Sequence, residues 1–384
     1  MALIAIAAGV CCLVLAGGFV EDIFFQLAEA LIRSQSGHVQ IAQKGFFVNG
    51  QRAPLEYLMQ ARSEFNEVKA RPEVAQVGQR LSFSALMGNG RSDIGVIAEG
   101  IEPDKEQTIG GQLFISAGRA ITTQDRYGVM VGEGLAAALG LTPDSNVSLL
   151  ATTASGAMNS LDFRVVGVFR SFSKEFDARA ARLLLPDAQE LLGTDGVSVI
   201  VVLLKQTSDT EQVATQLGRD LGRRLEVKTW AELNDFYIKT VALYRRQLSI
   251  LRVIILVMVS LGVVNIVNIT VLERLPEYGT MRALGSRSSD VLRLVITENC
   301  LIGLVGSVVG CLLGLLLGSL LSSIGIPMPA PPNSEFEYVA RVRTDWSVLI
   351  SAAAAGFIAT LVACIPPAIR SAATPIGDAL RRSL

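Results

Sequence analysis

Residues 250–272 read ILRVIILVMVSLGVVNIVNITVL, an apolar run in which Arg252 is the single charged residue. A helix of about 20 such residues crosses the hydrocarbon core of a bilayer, which is roughly 30 Å thick. The run therefore predicts a transmembrane helix. The residues that follow, 273–285, read ERLPEYGTMRALG, and their alternating charges and final glycine indicate a polar connector ending in a helix C-cap.

Three further apolar runs predict membrane helices, which gives spans at 1–20, 248–272, 291–324 and 346–369. For the first run a secretory signal peptide is the alternative. The run lacks a positively charged start and a small-x-small cleavage site before Glu21, which favours a membrane helix that extends to about residue 32. The chain is thus expected to cross the membrane four times.

The composition fits a protein that is partly embedded and partly in water. Half of the residues (50%) are hydrophobic, 18% are charged, and the mean hydropathy is +0.44. Lysine plus arginine (34) balances aspartate plus glutamate (35), so the basic excess typical of nucleic-acid binding is absent. We therefore expect no nucleic-acid partner.

Histidine and cysteine usage argues against a catalytic or metal centre. His38 is the one histidine, which excludes metal sites built from several histidines and predicts a surface residue without a catalytic role. The five cysteines fall within the apolar runs, so residues 21–247 contain no disulfide framework. We expect no catalytic residue, no metal and no bound cofactor in this chain.

Arginines in the short loops predict the orientation. Four arginines lie within 273–293 and three in the tail after residue 369, whereas 325–345 carries two arginines beside three acidic residues. Positive charge near helix ends favours the cytoplasm. The N-terminus, the second-to-third loop and the C-terminus are therefore expected inside, and residues 33–243 outside.

The outer region shows strand and helix signals in alternation. Residues 37–42 alternate as a strand does, 54–70 have helical spacing, and 197–204 form an apolar run typical of a buried strand. Between about 81 and 194 the pattern changes to turns and short strands. We predict an α/β domain in two parts, 33–80 and 195–235, separated by a β-rich insertion, with a helix over 231–247 that continues into the second span.

No phosphate-binding loop of the Gly-x-x-x-x-Gly-Lys-Ser/Thr type occurs in the sequence. Gly110-Gly111 and Gly132-Glu133-Gly134 are better explained as turn glycines than as nucleotide contacts. If ATP drives this protein, another chain is expected to hydrolyse it.

The connector after the second span resembles the cytoplasmic motif of FtsX-like permeases, the type VII ABC transporters of the MacB and LolC/LolE superfamily. The usual form of that motif is close to E-R-x-x-E-x-G-x-x-R-A-L-G. Its fixed positions are met by Glu273, Arg274, Glu277, Gly279, Arg282, Ala283, Leu284 and Gly285. The segments 36–41, 325–329 and 366–381 also resemble this family, so the likeness covers essentially the whole chain.

The resemblance implies a permease domain over 244–384 and a MacB-like periplasmic domain over 33–243, in the bacterial inner membrane. It also implies a dimer, formed with a second copy or a paralogue, and a separate ABC-type ATPase that holds the ATP and Mg. A periplasmic adaptor or a lipoprotein carrier is a further partner in such families. The motif residues, with Tyr278, would form the helix that docks on the ATPase. Family members usually carry a basic amphipathic helix before the first span, which the sequence given does not contain.

Three groups of residues inside the predicted spans are further candidates. Gly306, Gly310, Gly314 and Gly318 are four apart on one face, which predicts a close helix-packing seam, within the subunit or in the dimer. Asn265 and Asn268 share a face of the second span, where they would bond to another helix or line a substrate path. Glu298, near the cytoplasmic face, is expected to pair with Arg293 or another arginine at headgroup level.

Two functions remain in competition at this point. One is a permease that extracts lipid-anchored molecules such as lipoproteins. The other is a regulatory scaffold that transmits force without transport, like the cell-division permease of the same superfamily. A membrane-anchored enzyme is disfavoured by the lone histidine and the missing catalytic motif.

Overall fold

A computed structural model describes residues 1–50, 54–60, 62–109, 113–171, 173–222, 224–328 and 338–373. The chain divides into two compact units. The helical unit contains Met1–Phe25, Thr240–Met328 and residues 338–373. The sheet unit is built mainly from Gln26–Lys239.

The helices are α1 (Ala2–Leu31), α2 (Phe46–Asn49), α3 (Arg62–Lys69), α4 (Pro103–Ile109), α5 (Glu133–Leu139), α6 (Lys174–Asp177), α7 (Leu185–Leu192), α8 (Thr210–Leu221), α9 (Trp230–Leu233), α10 (Asp235–Glu273), α11 (Leu275–Ala283), α12 (Ser288–Ile324) and α13 (Trp346–Ala373). Among the described residues, α1, α10, α12 and α13 are long and apolar enough to cross a membrane. The prediction of four spans is confirmed.

The strands are β1 (Val39–Gln43), β2 (Val74–Gly88), β3 (Asp93–Ile101), β4 (Phe114–Gly118), β5 (Gly128–Gly132), β6 (Asn146–Thr152), β7 (Met158–Arg170), β8 (Ala180–Leu184), β9 (Val199–Leu204), β10 (Leu225–Thr229), β11 (Ile326–Met328) and β12 (Tyr338–Ala340). The first ten form one sheet in the order β10-β1-β9-β2-β3-β8-β5-β7-β4, with β6 paired to β2 and β7. Two pairs, β3 with β8 and β5 with β7, are parallel.

The long strand β2 joins the two parts of the sheet unit. Its first half, Val74–Arg80, pairs with β9 of the α/β part. Its second half, Leu81–Gly88, pairs with β3, and the end of that half also pairs with β6 of the β-rich part. An α/β domain with a β-rich insertion is therefore the observed fold.

Strand β9 lies at the centre of the α/β part, and its residues VIVVLL are buried on both faces. Ile200, Val202 and Leu204 belong to the main apolar core, whereas Val199, Val201 and Leu203 face a second apolar cluster. A strand covered on both faces needs a continuous apolar run, which explains the sequence pattern.

Two local predictions differ from the structure. Residues 54–70 do not form one helix, because a 3₁₀ turn at Pro54–Tyr57 is followed by Met59, whose backbone pairs with Val197. That pairing draws the segment onto the sheet before α3 begins. The helix expected over 231–247 is interrupted at Asn234, whose side-chain amide donates to the Trp230 carbonyl at 2.6 Å and ends α9.

An extended segment, residues 341–343, links two membrane helices of the helical unit, and we call it the strap. Its first and last residues donate their backbone N–H groups to the Asp22 carboxylate (2.8 Å) and the Gly18 carbonyl (3.0 Å) of α1. Its middle residue donates to the Ser322 hydroxyl of α12 (2.9 Å), which donates back to the carbonyl of the same residue (3.3 Å). Non-helical backbone beside a membrane requires such partners.

Candidate functional site

Helix α11 occupies most of the connector that the sequence singled out. Its first turn contains Pro276, which has no N–H to leave unpaired at that position. At its other end Ser286 N–H donates to the Met281 carbonyl and Gly285 N–H to the Arg282 carbonyl, both at 3.1 Å. These two bonds form a Schellman cap. Gly285 has φ +106°, a conformation that favours glycine, although a side chain there would meet nothing within 4 Å.

One side of α11 packs on the helical unit and the other faces outward. Leu275 and Tyr278 are each 4% exposed, and Gly279 is buried with them. Glu277 is exposed, as are Met281 at 36% and Leu284 at 85%. Glu273, Arg274 and Ala283 are exposed too, and Arg282 is half-buried. The motif therefore supplies both an anchored face and an outward face that combines charge with two apolar side chains.

Glu298 of α12 is linked to this segment by an ion pair. The Arg274 Nη1 atom lies 2.8 Å from the Glu298 Oε1 atom. The partner is therefore Arg274 at the junction of α10 and α11, and not Arg293, because α12 passes beside that junction. Burial, together with the Glu298 carboxylate, raises the pKa of Tyr278. The pair ties the start of α11 to the third span.

The four seam glycines of α12 are buried, and three of them pack against α1 of the same chain. A Cβ atom on Gly306 would lie 2.9 Å from Ile6 Cγ2, and one on Gly314 would lie 2.8 Å from Val14 Cβ. On Gly310 it would lie 2.7 Å from the Ala7 carbonyl oxygen and from Val10 Cβ. Gly318, the fourth, faces Val342 of the strap at 3.1 Å. The seam lies within the subunit and brings two backbones into direct contact.

The two asparagines of the second span have no partner within the chain as described. Asn265 is exposed on α10 and Asn268 is half-buried, and no hydrogen bond to either side-chain amide is found in the described ranges. By contrast, the buried Asn299 of α12 donates to the Val295 carbonyl of its own helix at 2.8 Å. Bonding of Asn265 and Asn268 to another helix stays a prediction.

His38 is buried, so the prediction of a surface histidine was wrong. Only 1% of it is exposed, because it directly precedes β1, which lies between β9 and β10, and its backbone bonds to Val202 and Trp230 on the two sides. Its Nδ1 atom accepts the Leu204 N–H at 3.1 Å, and its Nε2 atom lies 3.0 Å from the Thr207 hydroxyl, which donates to Glu29. Burial lowers the pKa of His38 to about 4, with the Glu29 carboxylate opposing and Arg33 assisting that shift.

A second buried polar cluster was missed by the sequence analysis. Arg182, 1% exposed, donates from Nε to Glu99 Oε2 at 3.1 Å and from Nη2 to the Ser34 carbonyl at 3.3 Å. Its Nη1 atom lies 3.5 Å from Glu106, which also pairs with Arg80. Burial opposes ionisation of Glu106, but the two guanidinium groups hold its pKa below the usual range. An arginine within the apolar strand β8 was the available signal.

Other predicted features are placed as follows. Gly132 ends β5 and precedes α5, which fits a turn glycine, while Gly110-Gly111 lies outside the described residues. The described ranges contain no group of three or more histidine, cysteine, aspartate or glutamate side chains arranged to hold a metal ion. The described site is therefore built from a capped helix, α11, that is anchored on one face and tied to α12 by an ion pair.

Comparison with known families accounts for both units. Residues 1–220 match the MacB-like periplasmic core domain, and residues 249–376 match the FtsX-like permease C-terminal domain. Four apolar helices with these domains make the chain a membrane protein with a large periplasmic domain.

Curated relatives carry related descriptions. An ABC transporter permease of Methanocaldococcus jannaschii is 25% identical over 201 residues, covering 51% of this chain and 49% of that protein. The lipoprotein-releasing system transmembrane protein LolC of Xylella fastidiosa is 24% identical over 245 residues, covering 62% and 59%. The macrolide export ATP-binding/permease protein MacB of Escherichia coli is 32% identical over 161 residues, covering 40% and 25%. The chain thus spans between a quarter and three fifths of the length of these relatives.

Among solved structures, this chain is similar to the extracellular domain of the transporter YknZ from Gram-positive bacteria. The match includes 50% of this chain and 100% of that domain, with 16% identity and a TM-score of 0.37. A second match, to the periplasmic region of MacB from Actinobacillus actinomycetemcomitans, includes 52% of this chain and 92% of that region, with 14% identity and a TM-score of 0.38. On the two domain matches, the chain belongs to the family of ABC transporter permeases that combine a MacB-like periplasmic core domain with an FtsX-like permease domain.

Proposed function

We propose that this permease converts ATP hydrolysis by a separate ABC-type ATPase subunit into movement of its periplasmic domain. Residues 273–293 and the C-terminus face the cytoplasm of a bacterial cell, and the chain acts as a dimer with a second copy or a paralogue. This chain has no catalytic role, and ATP and Mg are bound by the partner. The observation that carries the proposal is the two-sided character of α11.

The outward face of α11 suits docking on another protein. Leu284, directly after α11, is 85% exposed, and Glu277 and Met281 on the helix are exposed as well, so a partner would meet charged and apolar side chains together. The buried face holds Tyr278 against the helical unit, so a push on α11 is passed to the helices that contact it. The Arg274 and Glu298 pair offers a second path into α12.

Co-purification tests the docking surface. The full chain in detergent would be captured with candidate ATPase subunits, comparing the wild type with the Glu277→Lys, Arg282→Glu variant and with Leu284→Asp. Each change removes part of the outward face, and we expect the complex to be lost. A charge-reversed control, Glu67→Lys with Arg219→Glu, alters exposed residues of the sheet unit and should keep the ATPase bound. A wild-type chain that binds no ATPase contradicts the proposal.

The substrate we propose is a lipid-anchored molecule, such as a lipoprotein, taken from the outer leaflet and handed to a periplasmic adaptor or carrier. The likeness to a transmembrane protein described as part of a lipoprotein-releasing system supports this choice. Reconstituted complexes should hydrolyse ATP faster when acylated lipoprotein is added than when its unacylated form is added. If neither form changes the rate while the complex stays intact, a force-transmitting scaffold without transport is the better account.

A further inference from the structure

Three side chains form a cluster at the outer end of α10 within the helical unit. The Phe24 ring of α1 is 4% exposed and lies 6.3 Å from the Tyr244 ring, measured between centroids. The Arg245 guanidinium lies over the same Phe24 ring, 5.9 Å from its centroid. A guanidinium stacked on an aromatic face keeps its N–H groups directed sideways and available for an anion.

Arg343 shows what such an arginine does when the chain supplies an anion. Its guanidinium lies 4.0 Å from the centroid of the Phe25 ring, and its Nε atom pairs with Asp345 at 3.0 Å. Arg245 has the same kind of aromatic support, but no ion pair to it is found among the described residues. Within the described ranges, therefore, no carboxylate competes with an external anion for this guanidinium.

Arg252 is exposed on the same face of α10, two turns further along, and it too has no ion pair within the described ranges. Seven residues of helix separate the two arginines by about 10 Å. The apolar run 253–272 follows Arg252, which places this side chain at the boundary of the hydrocarbon core on the periplasmic side. Arg245 lies further out, so the two guanidinium groups bracket the phosphate layer of the outer leaflet.

We propose that Arg245 and Arg252, with Phe24 and Tyr244 as aromatic support, bind the phosphodiester headgroup of an anionic phospholipid in the outer leaflet. Arginine forms paired N–H bonds to phosphate oxygens, and an exposed tyrosine suits the interface. This site is distinct from α11 and requires only that the chain spans the membrane. It does not depend on coupling to an ATPase.

Lipid titration of the full chain tests the site. The protein in neutral detergent micelles would be titrated with short-chain phosphatidylglycerol, and bound lipid would be counted by native mass spectrometry. The Arg245→Gln, Arg252→Gln variant is expected to raise the half-saturating lipid concentration about 30-fold, since each arginine near an anionic surface contributes roughly a fivefold factor. The matched control, Arg219→Gln with Arg224→Gln, removes two exposed arginines of the sheet unit and should leave binding unchanged.

Two further measurements separate charge from structural damage. The Arg245→Lys, Arg252→Lys variant retains both charges and should bind within about fivefold of the wild type. Phosphatidylcholine, which has no net charge, should bind at least tenfold more weakly than phosphatidylglycerol. An unchanged glutamine variant, an equal loss in the control or lysine variant, or equal binding of the two lipids overturns the proposal.

Discussion

The core of the sheet unit is packed with large side chains, whereas the seam of the helical unit is packed with glycines. Around β9 and β7 the interior is filled by large side chains such as Phe163, which water would otherwise surround. Between α12 and α1 the contact is made by glycines, which let backbone approach backbone. Lipid gives no hydrophobic reward for joining two helices, so close contact replaces burial as the source of stability. Smaller side chains should therefore lower the stability of the sheet unit, and larger side chains at the seam glycines should lower the stability of the helical unit.

The largest expected effect is a cavity in the sheet unit. Phe163→Ala removes a ring that is 2% exposed, and we expect the free energy of unfolding of that unit to fall by about 4 kcal/mol. Hydrogen exchange on the full chain in micelles would measure the loss locally. Leu86→Ala, at a side chain 46% exposed, should change it by less than about 1 kcal/mol. Equal losses at the two positions would contradict the assignment of the core.

The buried histidine should make the sheet unit sensitive to acid. The pKa of His38 is about 4 in the folded chain and 6.5 for an ordinary histidine in water, so the unfolded chain takes up the proton first as the pH falls. The contribution of His38 to the free energy of unfolding is therefore fully present above about pH 6.5, is lost progressively down to about pH 4, and does not change further below that. The expected loss from this one group is about 3 kcal/mol.

Thermal unfolding at pH 7, 5 and 4 would measure this loss, with His38→Asn as the reference. The asparagine oxygen can still accept the Leu204 N–H but does not titrate. The difference between the two proteins removes the contribution of the carboxylates that titrate in the same range. Parallel pH profiles would show that protonation of His38 is not the cause.

In the seam, adding atoms should be harmful. Gly310→Val places a side chain against the Ala7 carbonyl and Val10, and we expect a loss of about 2 kcal/mol in the stability of the helical unit. Thermal unfolding in detergent would report it. Gly262→Val on α10 is the matched control, because a Cβ there meets nothing within 4 Å. A comparable loss at Gly262 would mean that the helix itself, and not the seam, is disturbed.

The smallest expected effect is at the pair of Arg274 and Glu298. Both side chains are partly exposed and screened by water, so a double-mutant cycle with Arg274→Gln and Glu298→Gln should give only a weak coupling, below the effect of either core or seam substitution. Under the proposed function, the same variants should reduce the ATP-driven movement of the periplasmic domain while leaving the thermal unfolding temperature nearly unchanged. If that movement is as large in the variants as in the wild type, the pair has no role in transmitting it.

Local patterns were readable from the sequence because they depend on nearby residues. The apolar run of β9, the four spans and the Gly285 cap each follow from chain periodicity or backbone preference. The partner of Glu298, the burial of His38 and the Arg182 cluster were not readable. Each depends on which distant segments meet, as when β9 and β10 pair on either side of β1 and bury the preceding His38. The sequence of a single chain does not show such contacts.

The spacing of the glycines identified a packing face but could not say what covers it. The structure supplies α1, whose Ala7 and Val10 fit against Gly310. The polar partners that hold the strap, Asp22 and Ser322, were likewise hidden. Each looks like an ordinary residue at the end of an apolar run until the strap is placed beside it.

The strap also constrains the order of biogenesis. Its bond to Asp22 joins residues 319 positions apart, so it cannot form until the strap itself has left the ribosome. The whole domain between α1 and α10 is therefore synthesised before the strap can join α1. A nascent chain stalled before that point leaves the Asp22 carboxylate and the Gly18 carbonyl without the strap. The contacts of these two groups with the strap thus distinguish a finished membrane insertion from an unfinished one.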